Sequence, residues 1–309
     1  MNSSLSASAS SPALSAGRDR RLALAALVVG ALAIGATPIL VRLAECGPAA
    51  AGFWRLALAL PLLAVLGWRR GDGLVGRPSP AMLTAGVMFA LDLACWHYGI
   101  RFTSVANATV LPNLTPVLVA VAGWLFLRER VTGVFLVGMF AAAAGAVLMA
   151  LARPGLAAPG AQPHLGDALC LATAFWYGLY FLAVRRARGA RSTLEVMAWT
   201  SLVGAPILLI VAVALRENLL PTALGGWAAL AGLGLAHVAG QGAIAWALGR
   251  LPASTAALVV LVQPLAAATL AWFAFGEGLT LLQGAGGALA LAGVAFAQAA
   301  GRKAASASA

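Results

Sequence analysis

Apolar stretches of roughly twenty residues follow one another from residue 22 to residue 299, with little more than a turn between them. A helix needs about 20 such residues to cross about 30 Å of hydrocarbon. Ten stretches qualify: 22–43, 48–68, 80–99, 103–127, 132–151, 165–184, 194–214, 224–249, 253–275 and 279–299. The joints carry glycine, proline or charge, as in Cys46-Gly47-Pro48, Arg77-Pro78-Ser79-Pro80 and Arg250-Leu251-Pro252. Lipid offers no partner to an unpaired backbone group, so the spans are helices. The alternation with polar lumen residues that a β-barrel needs is not visible. The residues are 62% hydrophobic and 9% charged, against about 25% charged in a soluble domain. An all-α integral membrane protein is expected, with the lipid bilayer as its surroundings.

The net charge of +11 comes from 20 Lys and Arg against only 9 Asp and Glu. It reflects missing acids rather than a basic face, and nucleic acid is excluded as a partner. Cys46, Cys95 and Cys170 are scattered and form no C-x-x-C pair, so neither a disulfide framework nor a metal site is indicated. No G-x-x-x-x-G-K-[ST] run is present, and no cofactor is expected.

Basic residues set the orientation. If ten spans alternate, fifteen Lys and Arg fall on one side, including Arg18, Arg20, Arg21, Arg69, Arg70, Arg128, Arg185, Arg250 and Lys303. The other side receives Arg42, Arg101, Arg153 and Arg216. Both termini are therefore expected in the cytoplasm, in the plasma (inner) membrane. Residues 1–21 open with a Ser/Ala-rich stretch and read as a disordered tail; residues 300–309 form a second cytoplasmic tail.

The chain repeats itself. A shift of 148 lays Pro116 on Pro264, Trp124 on Trp272, Glu129 on Glu277, Gly138 on Gly286 and Gly145 on Gly293. A shift of 145 lays Trp54 on Trp199 and Pro61 on Pro206. The chain thus divides into repeats at 22–151 and 165–299, each of five spans. Five is odd, so the halves cross the membrane in opposite senses. This inverted 5+5 arrangement of ten transmembrane helices is typical of secondary transporters, whose substrates bind near the midplane between the halves.

The run Ala106-Asn107-Ala108-Thr109-Val110-Leu111-Pro112-Asn113-Leu114-Thr115-Pro116 leads into Leu127-Arg128-Glu129-Arg130. Its second copy extends from Ala253-Ser254-Thr255-Ala256-Ala257 through Pro264 to Gly276-Glu277. With Arg55, Gly166-Asp167 and Phe175-Trp176-Tyr177-Gly178-Leu179-Tyr180, these runs make the sequence resemble the EamA-type proteins of the drug/metabolite transporter superfamily. The resemblance implies ten helices, a central cavity shared by both halves, and alternating-access movement of a small metabolite, amino acid or drug, commonly as export. Arg55 falls on Thr200 in the repeat, so the second half lacks that charge.

Ionisable groups inside a bilayer are expensive and usually face a cavity or each other. Arg55 and Asp92 each lie seven residues in from the end of a span, about 10 Å deep. They are expected to pair or to share one polar pocket, either as a structural ion pair or with Asp92 as a proton-coupling or substrate-contacting carboxylate. At the midplane, Asn113 and Thr115 precede Pro116, and Gln263 precedes Pro264. Proline frees a backbone carbonyl one turn earlier, and these side chains can satisfy that carbonyl or bind substrate. His237 and Gln241 are four apart and expected on one face, as are Trp176 and Tyr180. All seven are candidate substrate contacts, with interhelical bonding or packing as the alternative. Glu129 and Glu277 end corresponding spans, as loop contacts or as gates. The Gly138/Gly145 and Gly286/Gly293 stripe serves packing within the chain or a homodimer. The expected function is secondary transport of a small-molecule substrate, with proton coupling as one energy source; an integral-membrane enzyme or a pore-forming subunit is the alternative.

Overall fold

The computed structural model describes residues 12–70, 76–115, 133–151, 162–188, 191–248 and 262–307. Among these residues all regular structure is helical. The first half contains α1 (Pro12–Gly35), α2 (Thr37–Leu43), α3 (Pro48–Ala57), α4 (Ala59–Arg70), α5 (Pro80–Phe102), α6 (Val105–Val110) running into a 3-10 turn (Leu111–Leu114), and α7 (Gly133–Leu151). The second contains α8 (Pro163–Arg188), α9 (Thr193–Ala214), α10 (Leu224–Leu235) continued by a π-helical turn (Ala236–Gln241) and α11 (Gly242–Leu248), then α12 (Val262–Phe275) and α13 (Leu281–Ala307).

Among the described residues, six helical stretches are long and apolar enough to cross a membrane: Arg21–Leu43, Pro48–Arg69, Pro80–Phe102, Pro163–Arg188, Thr193–Ala214 and Leu224–Ile244. Gly133–Met149, Val262–Phe275 and Leu281–Ala297 are shorter apolar helices. Together they coincide with the spans read from the sequence, except the fourth, which is described only as far as Thr115, and the ninth, which is described only from Val262, so that its opening Ala253-Ser254-Thr255-Ala256-Ala257 lies outside the described residues. The later part of the fourth span, with Pro116, Trp124 and Glu129, lies outside the described residues.

One expectation needs correcting. Helix α1 begins at Pro12, so residues 12–21 are helical rather than a disordered tail. Proline suits a first helical position, where its missing N–H would have no partner, and the Ala, Leu and Arg that follow are good helix formers. Similarly, α13 continues to Ala307.

Local chemistry sets several ends. Ser79, Ser104 and Ser192 cap α5, α6 and α9, each accepting from the N–H three residues on, a bond worth about 1 kcal/mol. Helix α12 stops at Gly276, whose φ of +67° is the left-handed conformation glycine adopts without strain. Large apolar side chains such as Phe140, Ile210, Leu265 and Phe273 stand exposed around the bundle, as lipid contact requires. Alanines such as Ala49, Ala50, Ala51 and Ala59 fill its interior and let the helices approach closely.

Two sets of contacts show how the halves are related. A Cβ on Gly138 of α7 would strike Gly293 and Ala297 of α13, and one on Gly145 would strike Gly286 and Ala290. Each glycine thus meets the repeat copy of the other, so α7 and α13 cross antiparallel about a two-fold axis. Seven residues into the second span, in α3, Trp54 Nε1 donates to Leu219 O, just past the end of α9, at 2.8 Å. Near the start of α9, Trp199 Nε1 donates to Gly76 O, past the end of α4, at 3.1 Å. The same bond is made twice at opposite ends of an antiparallel pair, and the repeat is inverted. The glycine stripe is used within the chain and is not left free for a homodimer.

Gly145→Val is expected to lower the melting temperature of the purified protein, an overpacking cost of about 1–3 kcal/mol or more. Gly284→Ala, where an added Cβ meets nothing within 4 Å, is expected to leave it unchanged or raise it through helix propensity. Equal melting shifts for the two variants would contradict this packing.

Candidate functional site

Three helix breaks meet in the middle of the molecule. The first separates α1 from α2 at Ala36. Pro38 has no N–H to give the Ile34 carbonyl, and Thr37 Oγ1 donates to it instead at 2.6 Å. The second is the 3-10 turn after α6. Pro112 there leaves the Ala108 carbonyl without its helical donor, and the Trp96 indole N–H reaches it from α5 at 2.8 Å. Asn113 Nδ2 donates to Thr109 O at 2.7 Å in the same turn. The third is the π-turn Ala236–Gln241, a distortion frequent at functional sites.

These breaks surround a cavity of about 100 Å³. The first contributes Ile34 and Gly35, the second Thr109, Pro112 and Asn113, and the third Gln241. Helix α3 adds Arg55; α5 adds Phe89, Asp92, Leu93 and Trp96; α8 adds Thr173 and Tyr177; α12 adds Gln263. Both halves therefore supply wall.

The charged pair is deeply placed, with Arg55 2% and Asp92 4% exposed. Both line the cavity, yet no salt bridge within 4.0 Å joins them; among the described residues the bridges are Arg42–Glu277 and Arg191–Glu195. Of the two expectations, the shared pocket is what forms. The Arg55 guanidinium lies over the Trp96 ring, 5.7 Å from its centroid. Arg55 Nε and Nη1 and Asp92 Oδ1 have no hydrogen-bond partner among the described residues. His97, on the same helix as Asp92, is buried with Nδ1 2.9 Å from Pro48 O.

Of the other expected contacts, Asn113, Gln241 and Gln263 reach the cavity, while Thr115, Trp176, Tyr180 and His237 do not line it. Thr115 Oγ1 is spent on the Pro112 and Ala174 carbonyls, at 2.7 and 3.1 Å. Pro112 O also accepts from the Thr115 backbone N–H, which closes the 3-10 turn. Tyr180 and His237 both pack on Phe89, with ring centroids 4.6 and 5.5 Å away, and so stand one layer behind the wall. Gln241 lines the cavity, whereas His237, four residues earlier in the π-turn, has Nε2 3.5 Å from Ser201 Oγ and its ring against Phe89. Trp176 packs edge-on to Phe175. Pro264 is buried in α12.

The aromatic residue of α8 that lines the cavity is Tyr177, missed from sequence together with Thr173, Thr109, Phe89 and Trp96. The spacing of Thr173 and Tyr177 at i and i+4 is the signal for this face.

A second set of contacts closes the end of the bundle opposite the start of α1. Arg42 pairs with Glu277 and also donates to the Ile100 and Thr103 carbonyls, at 3.0 and 2.7 Å. Glu277 Oε2 accepts from Val105 N at 3.0 Å, at the start of α6. Glu217, beyond α9, accepts from Ala49 N and Ala50 N at 3.2 and 2.8 Å and from the Tyr98 hydroxyl. It thereby caps the positive end of α3 from the other half of the chain. Beneath this collar, Asp167 accepts from Thr103 Oγ1 and Asn107 Nδ2, at 2.7 and 3.0 Å, and Gln283 Nε2 donates to Ser104 Oγ at 3.1 Å.

The model of the EamA-like transporter family matches residues 21–151 and again 164–298. An uncharacterized transporter of Archaeoglobus fulgidus is 29% identical over 281 residues, covering 91% of this chain and 97% of that protein. The pseudopaline exporter CntI of Pseudomonas aeruginosa is 35% identical over 79 residues, 26% of this chain and 28% of its own. A solved crystal structure superposes with a TM-score of 0.62 at 19% identity, over 90% of this chain and 96% of the other, and shares the fold. Apolar helices of membrane-crossing length, in two inverted copies around a buried polar cavity, define a multi-pass membrane transporter. The chain belongs to the EamA-like transporter family.

Trp96→Phe should destabilise the purified protein by about 1–3 kcal/mol, because the Ala108 carbonyl is left buried without a donor. Adding Pro112→Ala, which restores a backbone N–H, should recover much of that loss. Additive losses in the double variant would show that the indole bond does not repair the proline break.

Proposed function

We propose that this protein is a secondary transporter of a small organic metabolite (an amino acid, a related metabolite or a drug) and that it works as an exporter by alternating access. It lies in the plasma (inner) membrane with both termini in the cytoplasm. It uses no cofactor and is driven by the substrate gradient or by protons. The observation that carries this reading is a cavity walled by both inverted halves: Arg55, Asp92 and Asn113 from the first, Tyr177, Gln241 and Gln263 from the second. Rocking of one half against the other opens such a cavity to one face and then to the other.

Ligand pockets commonly measure about 300–1,000 Å³, whereas this one is about 100 Å³. The structure is read as a contracted state that widens on loading. The paired Trp54 and Trp199 bonds support the exchange, since each fastens one half to the other at a different end. The name of the Pseudomonas relative supports export. The relatives named as transporters favour a carrier over an integral-membrane enzyme or a pore. Asp92 is the carboxylate placed to couple protons.

Liposomes containing the full-length protein and preloaded with a metabolite mixture should take up labelled members of that mixture faster than empty liposomes. A product of changed mass would indicate an enzyme, and uptake indifferent to preloading a pore. Asp92→Asn should reduce uptake driven by an imposed pH gradient to the level seen without a gradient, at unchanged expression. Uptake that still follows the gradient would remove Asp92 from proton coupling.

A further inference from the structure

We infer that the groove between α5 and α8, at the end of the bundle opposite the Arg42–Glu277 collar, seats an anionic glycerophospholipid, with its phosphate on Arg186 and one acyl chain along the groove. The inference goes beyond the carrier reading and does not depend on what is carried.

The two helices run antiparallel. Thr103, just past α5, bonds to Asp167 near the start of α8, and Met82 near the start of α5 packs with Ala187 near the end of α8. Beside the second contact, Thr84 and Met88 of α5 and Leu179, Leu182, Ala183 and Arg186 of α8 line an open groove of about 730 Å³. Each set is spaced for one helix face, four apart on α5 and at i, i+3, i+4 and i+7 on α8. The groove follows α8 for about 10 Å from Leu179 to Arg186. Helix α5 belongs to the first half of the chain and α8 to the second, so an occupant touches both.

The groove carries charge at one end. Arg186 stands two residues before the end of α8, where a long basic side chain reaches headgroup level. It is exposed and makes no hydrogen bond or ion pair with the described residues. No Asp or Glu is among the described lining residues. The acid nearest in sequence, Glu195, is taken by Arg191. An unopposed cation at the mouth of an apolar trough matches a phosphate joined to an acyl chain. A guanidinium group binds phosphate through paired hydrogen bonds, and basic pockets between membrane helices take anionic headgroups. The Thr84 hydroxyl is exposed in the same groove and can donate to an ester carbonyl. A second copy of the chain docked here about a two-fold axis would instead set two guanidinium groups against each other.

The test uses the full-length protein, purified in a mild detergent and offered phosphatidylglycerol or phosphatidylcholine with the same palmitoyl and oleoyl chains. Bound lipid is counted by native mass spectrometry. Phosphatidylglycerol should be retained over phosphatidylcholine, and Arg186→Gln should lower its binding about five-fold, the worth of one arginine beside an anionic headgroup. Arg101→Gln, exposed at the opposite end of α5, should leave that binding unchanged. Thr84→Trp, which fills the groove, should weaken both lipids. Phosphatidylglycerol carrying a diazirine in one acyl chain should cross-link within residues 84–88 or 179–186. If a variant fails to fold, the wild-type preference and the cross-linked positions decide. Equal retention of the two lipids, binding indifferent to Arg186→Gln, or cross-links confined to other helices overturns the inference. A dimer joined through this face, with the groove closed to lipid, also overturns it. Counterflow in liposomes without the lipid preference removes the lipid site and leaves the carrier standing; the lipid preference without counterflow supports the lipid site and removes the carrier.

Discussion

A carbonyl that loses its helical donor inside a bilayer must find another donor within the protein. That requirement shapes the middle of this molecule. Pro38 releases the Ile34 carbonyl and Thr37 takes it up; Pro112 releases the Ala108 carbonyl and Trp96 takes it up from a different helix. Each repair brings a polar side chain to the break, and the Trp96 bond also fixes α5 beside it. The cavity opens where the breaks meet, and two of its wall groups, Trp96 and Asn113, donate to carbonyls beside the second break.

The backbone is two-fold symmetric, while the chemistry is not. The glycine crossing and the paired tryptophan bonds repeat from one half to the other. The charges do not: Arg55 has Thr200 as its repeat partner, and the shift that relates them lays Asp92 on His237. Thr200 and His237 are both buried away from the cavity wall. Symmetry supplies two related ways of packing the halves, and the first half supplies the electrostatic identity of the site. The collar of Arg42, Glu277 and Glu217 adds a further difference, holding one end together through bonds between distant parts of the chain.

Much of this was legible in the sequence, for identifiable reasons. Span limits follow from apolar length, and inversion follows from an odd number of spans per repeat. Arg55 and Asp92 were visible because charge is rare in lipid, and Gln263 and Asn113 because they stand near prolines. What escaped depends on rotation and on distant partners. One residue along a helix turns the side chain by about 100°, so Tyr177 lines the cavity while its neighbour Trp176 packs on Phe175. His237 is taken up by Ser201 and Phe89, on other helices, which its spacing from Gln241 does not reveal. Thr115 looked free because the carbonyls it serves belong to another turn and another helix. Glu217 gave no sign that its partners lie in the other half of the chain.

The most direct measurement concerns water at the cavity wall. Gln263→Cys, in full-length protein whose native Cys46, Cys95 and Cys170 have been replaced, would be exposed to a small membrane-impermeant thiol reagent from each side of the membrane in turn. Phe140→Cys on the lipid-facing surface serves as the reference. The account predicts that Gln263→Cys is labelled from the aqueous phase and that added substrate slows the labelling, while the reference stays inert. A Gln263→Cys protein as unreactive as the reference from both sides would mean that no hydrated path reaches the space between the halves, and would contradict the account.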